Sequence, residues 1–206
     1  MEASSIILAG GRSLRLGYDK ILETVGGRSL LEKVVDSVAP LSSDIIVVTA
    51  EERSIPHLVD YPDLRVVTDI LPGKGPLGGI YTGLRVSTTF CNIVVAADMP
   101  FLNQGLLRYM VWLAEGFDLV APRVGDQAEP LHSVYTRGCI GTIERMLEQG
   151  TLGVHKLLSL VNVRYVEMEE IVRFDPDRLS FFNVNTMKDL ELARELSRGD
   201  SGDDKR

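Results

Sequence analysis

Short, continuous apolar runs rich in β-branched residues recur along the first half of the chain. They predict strands at 5–9, 44–49, 65–68 and 92–97. Because these runs are unbroken rather than alternating, they are typical of strands buried on both faces of a parallel sheet. Segments with apolar residues at helical spacing separate the strands, and they predict helices over 29–38, 78–86 and 103–114. Alternating strands and helices predict a three-layer, doubly wound α/β fold with a mostly parallel sheet.

The second half of the chain has a less regular pattern. It predicts a helix over 138–147 and strands at 118–122, 163–168 and 180–184. Thr186 and Asp189 form a capping-box pattern that opens a final helix through about residue 196. The residues beyond this helix are polar and lack an apolar anchor. We therefore expect a single domain over 1–197 and a disordered tail over 198–206.

The charge balance excludes several classes of partner. The 206 residues include 22 Lys+Arg and 29 Asp+Glu, which gives a net charge of −7. A negative field disfavours binding to long nucleic acids or to membrane surfaces. The N-terminus lacks the pattern of a signal peptide, and no apolar stretch approaches the ~18 residues of a membrane span. These features predict a cytoplasmic protein that binds neither nucleic acid nor membrane.

The two cysteines and three histidines offer little catalytic chemistry. Cys91 and Cys139 are too few for a disulfide scaffold and are expected to be small core residues. His132, within the segment 129–133, is the one histidine in a suggestive setting, whereas His57 and His155 read as surface residues. Three scattered histidines do not make a metal cluster, and no Ser/His/Asp arrangement is apparent.

The loop after the first strand carries the clearest chemical signal. Residues 8–20 include three glycines, two arginines and a lysine. In an open parallel sheet, ligands bind beyond the carboxyl ends of the strands. Glycines let backbone N–H groups approach a phosphate, and basic side chains neutralise its charge. The spacing matches neither G-x-G-x-x-G nor G-x-x-x-x-G-K-[ST], so a solvated surface turn stays open as the alternative.

Two carboxylates follow predicted strands. Asp98 comes directly after the fourth strand, where an isolated charge is costly to hold unless a cation meets it. Magnesium, bound through one or two carboxylates and substrate phosphates, suits this position. Asp69 follows the third strand, and an Asx-turn or a helix cap is the alternative interpretation there.

Four sequence blocks resemble one family of enzymes. Residues 8–20, LAGGRSLRLGYDK, resemble the signature LAGGxSxRMGxDK of molybdenum cofactor guanylyltransferases, which are Rossmann-like nucleotidyltransferases. Residues 75–80 resemble the family's GPLxGI, residues 98–101 its DMPF, and residues 182–186 part of its NVNTPEDL. The blocks appear in the family's order, and the resemblance spans roughly residues 5–195.

The resemblance implies transfer of GMP from GTP to the molybdenum–molybdopterin cofactor, with Mg²⁺ and release of pyrophosphate. Asp98 would bind Mg²⁺, Lys20 would meet the phosphates, and Arg15 would assist the leaving group. Three residues would present backbone to the nucleotide: Leu8, Ala9 and Gly10. Asp69 would help to hold the guanosine, and the pterin substrate would face Asn183 and Asn185. Cofactor-insertion proteins or molybdoenzymes are the implied partners.

Three other functions compete with this one. Cytidylyltransferases of the same cofactor resemble this chain but usually read LAAG where residues 8–11 read LAGG. The smaller Gly10 leaves more room beside the base, which favours a purine. A guanylyltransferase acting on another small phosphate, such as cobinamide phosphate, is the second alternative. The third is a nucleotide-binding adaptor without turnover, which the presence of Lys20 and Asp98 disfavours.

Overall fold

The computed structural model describes residues 2–10, 20–50, 58 and 61–200, with side chains through 198. The strands in these ranges are β1 (Ala3–Leu8), β2 (Thr24–Val25), β3 (Arg28–Ser29), β4 (Ile45–Thr49), β5 (Leu64–Thr68), β6 (Cys91–Ala96), β7 (Leu119–Val124), β8 (Gln127–Ala128), β9 (His132–Thr136) and β10 (Val163–Val166). The helices are α1 (Leu30–Val38), α2 (Gly75–Val86), α3 (Gln104–Trp112), α4 (Ile140–Glu148), α5 (Val154–Leu157), α6 (Met168–Ile171) and α7 (Met187–Asp200).

A mixed sheet forms the middle layer of the fold. Its strand order is β10-β7-β9-β6-β1-β4-β5, with β8 paired to β7. β1 lies between β4 and β6 and is parallel to both, and β5 and β10 add further parallel pairs. β9 is antiparallel to both of its neighbours, β6 and β7. The prediction of a mostly parallel sheet is confirmed.

Helices cover both faces of this sheet. The apolar sides of α1 and α3 pack on one face, and those of α2 and α4 pack on the other. Ile6 and Ile7 of β1 are both fully buried, and they belong to the two opposite core clusters. Successive strand residues point to opposite faces, so a strand covered on both sides needs an unbroken apolar run. The three-layer arrangement is therefore also confirmed.

Two elements of the second half differ from the prediction. The strand expected at 180–184 is wrong, because Leu179–Phe181 form a 3-10 turn and no strand follows it before α7. Asp175 caps this turn by accepting the N–H groups of Leu179 (3.1 Å) and Ser180 (2.9 Å). Local hydrogen bonding of this kind competes with sheet pairing.

The second difference is β9, a central strand that the sequence pattern did not predict. Its five residues, HSVYT, are all buried, although three of them are polar. The hydroxyls of Ser133 and Thr136 donate to the backbone carbonyls of Glu129 (2.6 Å) and Asp118 (3.1 Å). Hydroxyls that make hydrogen bonds can be buried at little cost, so a core strand can contain polar residues. Because β9 lacks a continuous apolar run, the sequence pattern did not predict it.

The ends of the helices refine two other boundaries. α2 begins at Gly75, three residues before the predicted start, and the turn before it places Gly73 at φ 82°. α7 continues to Asp200, past the domain boundary expected at 197, and residues 201–206 lie outside the described ranges. None of the described helices is both long and apolar enough to span a membrane. Cys91 and Cys139 are free and buried, as expected of core residues.

Candidate functional site

A cavity of about 660 Å³ opens at the carboxyl ends of β1, β4, β5 and β6. Ligand sites for small molecules commonly have volumes of ~300–1,000 Å³. The chain leaves β1 toward β4 and β5 on one side and later returns to β6 on the other. The cavity therefore lies at the topological switch point, where open α/β sheets bind their ligands.

Backbone hydrogen bonds extend the sheet to form the floor of this cavity. The N–H of Ala9 donates to Val48 O (2.8 Å), and the N–H of Ala97 donates to Leu8 O (3.1 Å). On the neighbouring strand, the N–H of Asp69 donates to Thr49 O (2.7 Å). These bonds continue the strand ladders past their ends, so the residues that follow the strands are rigidly placed.

The cavity brings together most of the residues predicted from sequence to bind a nucleotide. Those that line it are Leu8, Ala9, Gly10, Lys20, Asp69 and Asp98. Arg15 lies outside the described residues. Asn183 and Asn185 do not line the cavity, but they lie in the segment that contacts Lys20.

Lys20 and Asp98 form an ion pair at one end of the cavity. Lys20 Nζ lies 2.6 Å from Asp98 Oδ2, and the two side chains are 16% and 17% exposed. The ammonium also donates to Val184 O (3.0 Å) and to Asn185 Oδ1 (3.2 Å). An ammonium has three N–H donors, so each has an acceptor here. This network fixes the cation beside the end of β6.

The second carboxylate oxygen of Asp98 has a different environment. Asp98 Oδ1 is buried and has no hydrogen-bond partner among the residues described. Burying an unpaired carboxylate oxygen is costly, so its position is better suited to a cation than to the apolar core. No group of three or more potential ligands from His, Cys, Asp and Glu occurs in the described ranges. This arrangement fits Mg²⁺, which typically takes one or two carboxylates together with substrate phosphates.

Asp69 lies at the opposite end of the cavity. It lines the cavity, and its carboxylate also makes hydrogen bonds within the fold. Its Oδ1 accepts the N–H of Leu71 (3.0 Å) and the hydroxyl of Thr82 (2.7 Å). The first contact is the Asx-turn that sequence reasoning kept as an alternative. Asp69 is therefore held firmly while it also lines the cavity.

Gly10 borders a narrow gap between two strand ends. A Cβ at position 10 would lie 3.4 Å from the backbone nitrogen of Ala50 and 3.7 Å from its Cβ. These are ordinary van der Waals distances, so a Cβ would occupy the space between the end of β1 and Ala50. The space beside the backbone of residues 8–10 thus depends on glycine at this position.

The cavity wall also includes residues that were not among the predicted site residues, although 75–80 resembled one of the family's blocks. The turn before α2 and its first residues contribute Pro72, Gly73, Gly75 and Pro76, and the end of β4 contributes Thr49 and Ala50. The glycine and proline density of 72–79 was the available signal. Leu131 reaches the cavity because β9 runs antiparallel, so its beginning lies at the carboxyl end of β6.

His132 does not belong to the cavity, so its suggestive sequence setting does not mark a site. The imidazole is fully buried and packs on the ring of Phe181 with centroids 4.9 Å apart. Neither ring nitrogen has a hydrogen-bond partner within the described part of the chain. Burial lowers the pKa of His132 to about 4, which outweighs the opposite influence of the Ser180 backbone and of Asp175.

Comparison with known proteins is consistent with this geometry. Residues 5–167 match the model of the MobA-like NTP transferase domain. A "probable molybdenum cofactor guanylyltransferase" from Pelotomaculum thermopropionicum is 38% identical over 197 residues, covering 96% of this chain and 94% of the relative. A molybdenum cofactor guanylyltransferase from Syntrophotalea carbinolica is 35% identical over 198 residues, covering 95% and 92%.

A solved structure shows the same architecture. The molybdopterin-guanine dinucleotide biosynthesis protein A from Archaeoglobus fulgidus superposes with a TM-score of 0.81 and is 29% identical in sequence. The match covers 97% of this chain and 100% of the other. The similarity therefore includes both halves of the sheet and the C-terminal segment that contacts Lys20.

Proposed function

Because this chain belongs to the family of MobA-like NTP transferase domains, we propose that it transfers GMP from GTP to the molybdenum–molybdopterin cofactor. The products are molybdopterin guanine dinucleotide and pyrophosphate. The observation that carries the proposal is the Lys20–Asp98 pair at one end of a nucleotide-sized cavity. Described residues of three blocks that resemble the family line this cavity (8–10 and 20, 75–80, and 98–101), and the fourth block, 182–186, contacts Lys20.

The shape of the cavity supports a nucleotide lying across the strand ends. Asp98 follows β6 and Asp69 follows β5, and three strand spacings separate these two strands. At ~4.8 Å each, the spacings add up to about 14 Å, which accommodates a nucleoside with its phosphate chain. We assign the phosphates to the end with Lys20 and Asp98, and the guanosine to the end with Asp69.

The reaction needs little general acid–base catalysis from the protein. The terminal phosphate of the pterin acceptor is already ionised at neutral pH, so its attack on the α-phosphorus of GTP needs no general base. Catalysis then reduces to positioning and to stabilisation of charge as pyrophosphate leaves. His132 is buried and does not line the cavity, which agrees with such a mechanism.

Asp98 would hold Mg²⁺ through Oδ1, the buried oxygen that the described residues leave unpaired. The ion would neutralise charge on the phosphates when bound. Lys20 would contact the phosphates as a second positive charge after exchanging one of its present acceptors. Arg15 would add charge at the leaving pyrophosphate.

Guanine is the proposed base because of the wall that faces Gly10. The backbone of Leu8, Ala9 and Gly10 lines the cavity without side chains that fill the gap toward Ala50. A purine needs this width more than a pyrimidine does. Asn183 and Asn185 lie in the segment that contacts Lys20, at the end of the cavity assigned to the phosphates. We assign these two residues to the pterin acceptor. Molybdoenzymes or cofactor-insertion proteins in the cytoplasm would receive the product.

The direct test combines the pure protein with GTP, Mg²⁺ and molybdenum–molybdopterin, followed by mass analysis of the products. We expect the guanine dinucleotide and an equal amount of pyrophosphate. Parallel reactions replace GTP with CTP, or the acceptor with cobinamide phosphate. Faster transfer from CTP would reverse the assignment of the base, and faster transfer to cobinamide phosphate would reverse that of the acceptor. Tight GTP binding without any product would instead support a nucleotide-binding adaptor.

Replacing Lys20 with alanine is expected to lower kcat for GMP transfer by about 100-fold, because a preorganised positive charge at the phosphates is lost. Asp98 lines the cavity, so water there can solvate its carboxylate once the ammonium is gone, and Tm should fall by only about 2–4 °C. Steady-state kinetics and thermal melts measure the two effects. Lys156→Ala, on the exposed surface of α5, is the matched control and should retain wild-type kcat. Near-wild-type turnover of Lys20→Ala would contradict its assigned role.

A further inference from the structure

Asp189, in the first turn of α7, holds the segment that leads to the cavity. Its Oδ2 accepts the backbone N–H groups of Asn185 (2.9 Å) and Thr186 (2.7 Å). The hydroxyl of Thr186 in turn accepts the N–H of Asp189 (3.2 Å), which completes a capping box. A capping box needs only the contacts between Thr186 and Asp189. The bond to Asn185 is an additional one.

The two residues before Thr186 are the ones that hold Lys20. Val184 O and Asn185 Oδ1 both accept from its ammonium, at 3.0 and 3.2 Å. The N–H of Val184 donates to the backbone carbonyl of Asp98 (3.0 Å). A continuous set of hydrogen bonds therefore connects Asp189 with Lys20 and with the end of β6.

Packing fixes only one of these two residues. Val184 is buried, at 1% exposure, in a small core cluster with Val25 and Leu190. Asn185 is exposed and belongs to none of the core clusters, and its backbone N–H donates to Asp189. The position of the Asn185 backbone, from which its side chain reaches Lys20, is thus held by this hydrogen bond rather than by the core.

The charges at this end of α7 agree with such a connection. Burial by itself would raise the pKa of Asp189, but the hydrogen bonds from Asn185 and Thr186 lower it below its ordinary value. The positive charge of Lys20 acts in the same direction, although the two side chains form no ion pair. Asp189 is thus ionised at neutral pH, and an ionised carboxylate is a stronger hydrogen-bond acceptor than a neutral group.

We propose that Asp189 is a positioning residue for GMP transfer. It holds Asn185 in the orientation that, with Val184, keeps the Lys20 ammonium beside Asp98. Asp189 touches neither Lys20 nor the reacting groups, and its effect passes through Asn185. The inference rests on the proposed function, since it assigns a consequence for turnover to the position of Lys20.

The first test is Asp189→Ala. We expect kcat to fall by about tenfold with little change in the KM for GTP, because a misplaced cation impairs the transfer step more than nucleotide binding. Asp189→Asn keeps an acceptor oxygen at the same reach, so it should restore most of kcat. Asp189→Glu keeps the charge and the Thr186 cap but moves the carboxylate by one methylene, so it should fold normally and lose turnover several-fold. Wild-type kcat in Asp189→Ala, or in Asp189→Glu, overturns the proposal.

A matched control separates positioning from stability. Ser29 and Glu32 form a second capping box, at the start of α1, with bonds of 2.7 and 3.2 Å. Glu32→Ala therefore removes a comparable cap away from the cavity. It should lower Tm about as much as Asp189→Ala does but leave kcat unchanged. Equal losses of kcat in these two variants would show that Asp189 acts only through stability.

A double-mutant cycle with Asn185→Ala tests the route. If Asp189 acts through Asn185, the double variant should turn over no more slowly than Asn185→Ala alone. Losses of kcat that multiply in the double variant would contradict this route. Failure of the wild-type protein to form the guanine dinucleotide would instead reject the proposed function, so the two failures are distinguishable.

Discussion

Asp98→Asn is expected to lower the rate of GMP transfer by at least about 1,000-fold while the protein stays folded. The amide loses the negative charge that would hold Mg²⁺ and that pairs with Lys20 at 2.6 Å. Asp98 Oδ1 has no hydrogen-bond partner among the described residues, so the native carboxylate does not depend on that oxygen for stability. Pyrophosphate release, measured over a range of Mg²⁺ concentrations, reports the loss.

Asp44→Asn is the control for this variant. Asp44 also forms a 2.6 Å ion pair, with Arg65, but it precedes β4 and so lies at the opposite edge of the sheet from the cavity. We expect wild-type kcat for Asp44→Asn and a similar Tm for both variants. If Asp98→Asn retained more than a tenth of the wild-type rate, Asp98 would have no part in the mechanism.

His132 should lower the stability of the folded protein in mild acid. Its pKa is about 4 in the folded protein and about 6.5 in the unfolded chain, because burial disfavours the charged imidazole. Between these values the unfolded chain binds a proton that the folded protein does not. The stability contributed by a neutral His132 is therefore fully present above pH 6.5 and is lost as the pH falls toward 4. The loss amounts to about 3 kcal/mol at pH 4.

Urea unfolding at pH 7 and at pH 4.5 measures this effect, with His132→Leu as the variant. Leucine has a similar size and needs no hydrogen bond, and neither imidazole nitrogen has a partner in the described ranges. We expect the free energy of unfolding of the variant to differ much less between the two pH values than that of the wild type does. His155→Asn, on an exposed position of α5, should behave as the wild type does. An unchanged pH dependence in His132→Leu would show that another group titrates.

The first half of the fold could be predicted from sequence because its signal is local. β1, β4, β5 and β6 are short apolar runs, and burial on both faces of a sheet requires such runs. The second half was predicted less well because polar residues are buried there with satisfied hydroxyls, as in β9. The apolar residues near 180–184 are ordered by Asp175 and by contact with Asp98 instead of by strand pairing.

The chain by itself determined which residues carry chemistry: Lys20, Asp69 and Asp98 stand at strand ends or in a glycine-rich loop, and their types and local spacing are written in the sequence. Only the tertiary structure decided which of them meet. Lys20 lies 78 residues from Asp98 and 165 from Asn185 along the chain, yet its ammonium contacts both. It also decided that His132 lies in the core, away from the cavity. Contacts of this range depend on strand order and packing, which no local pattern encodes.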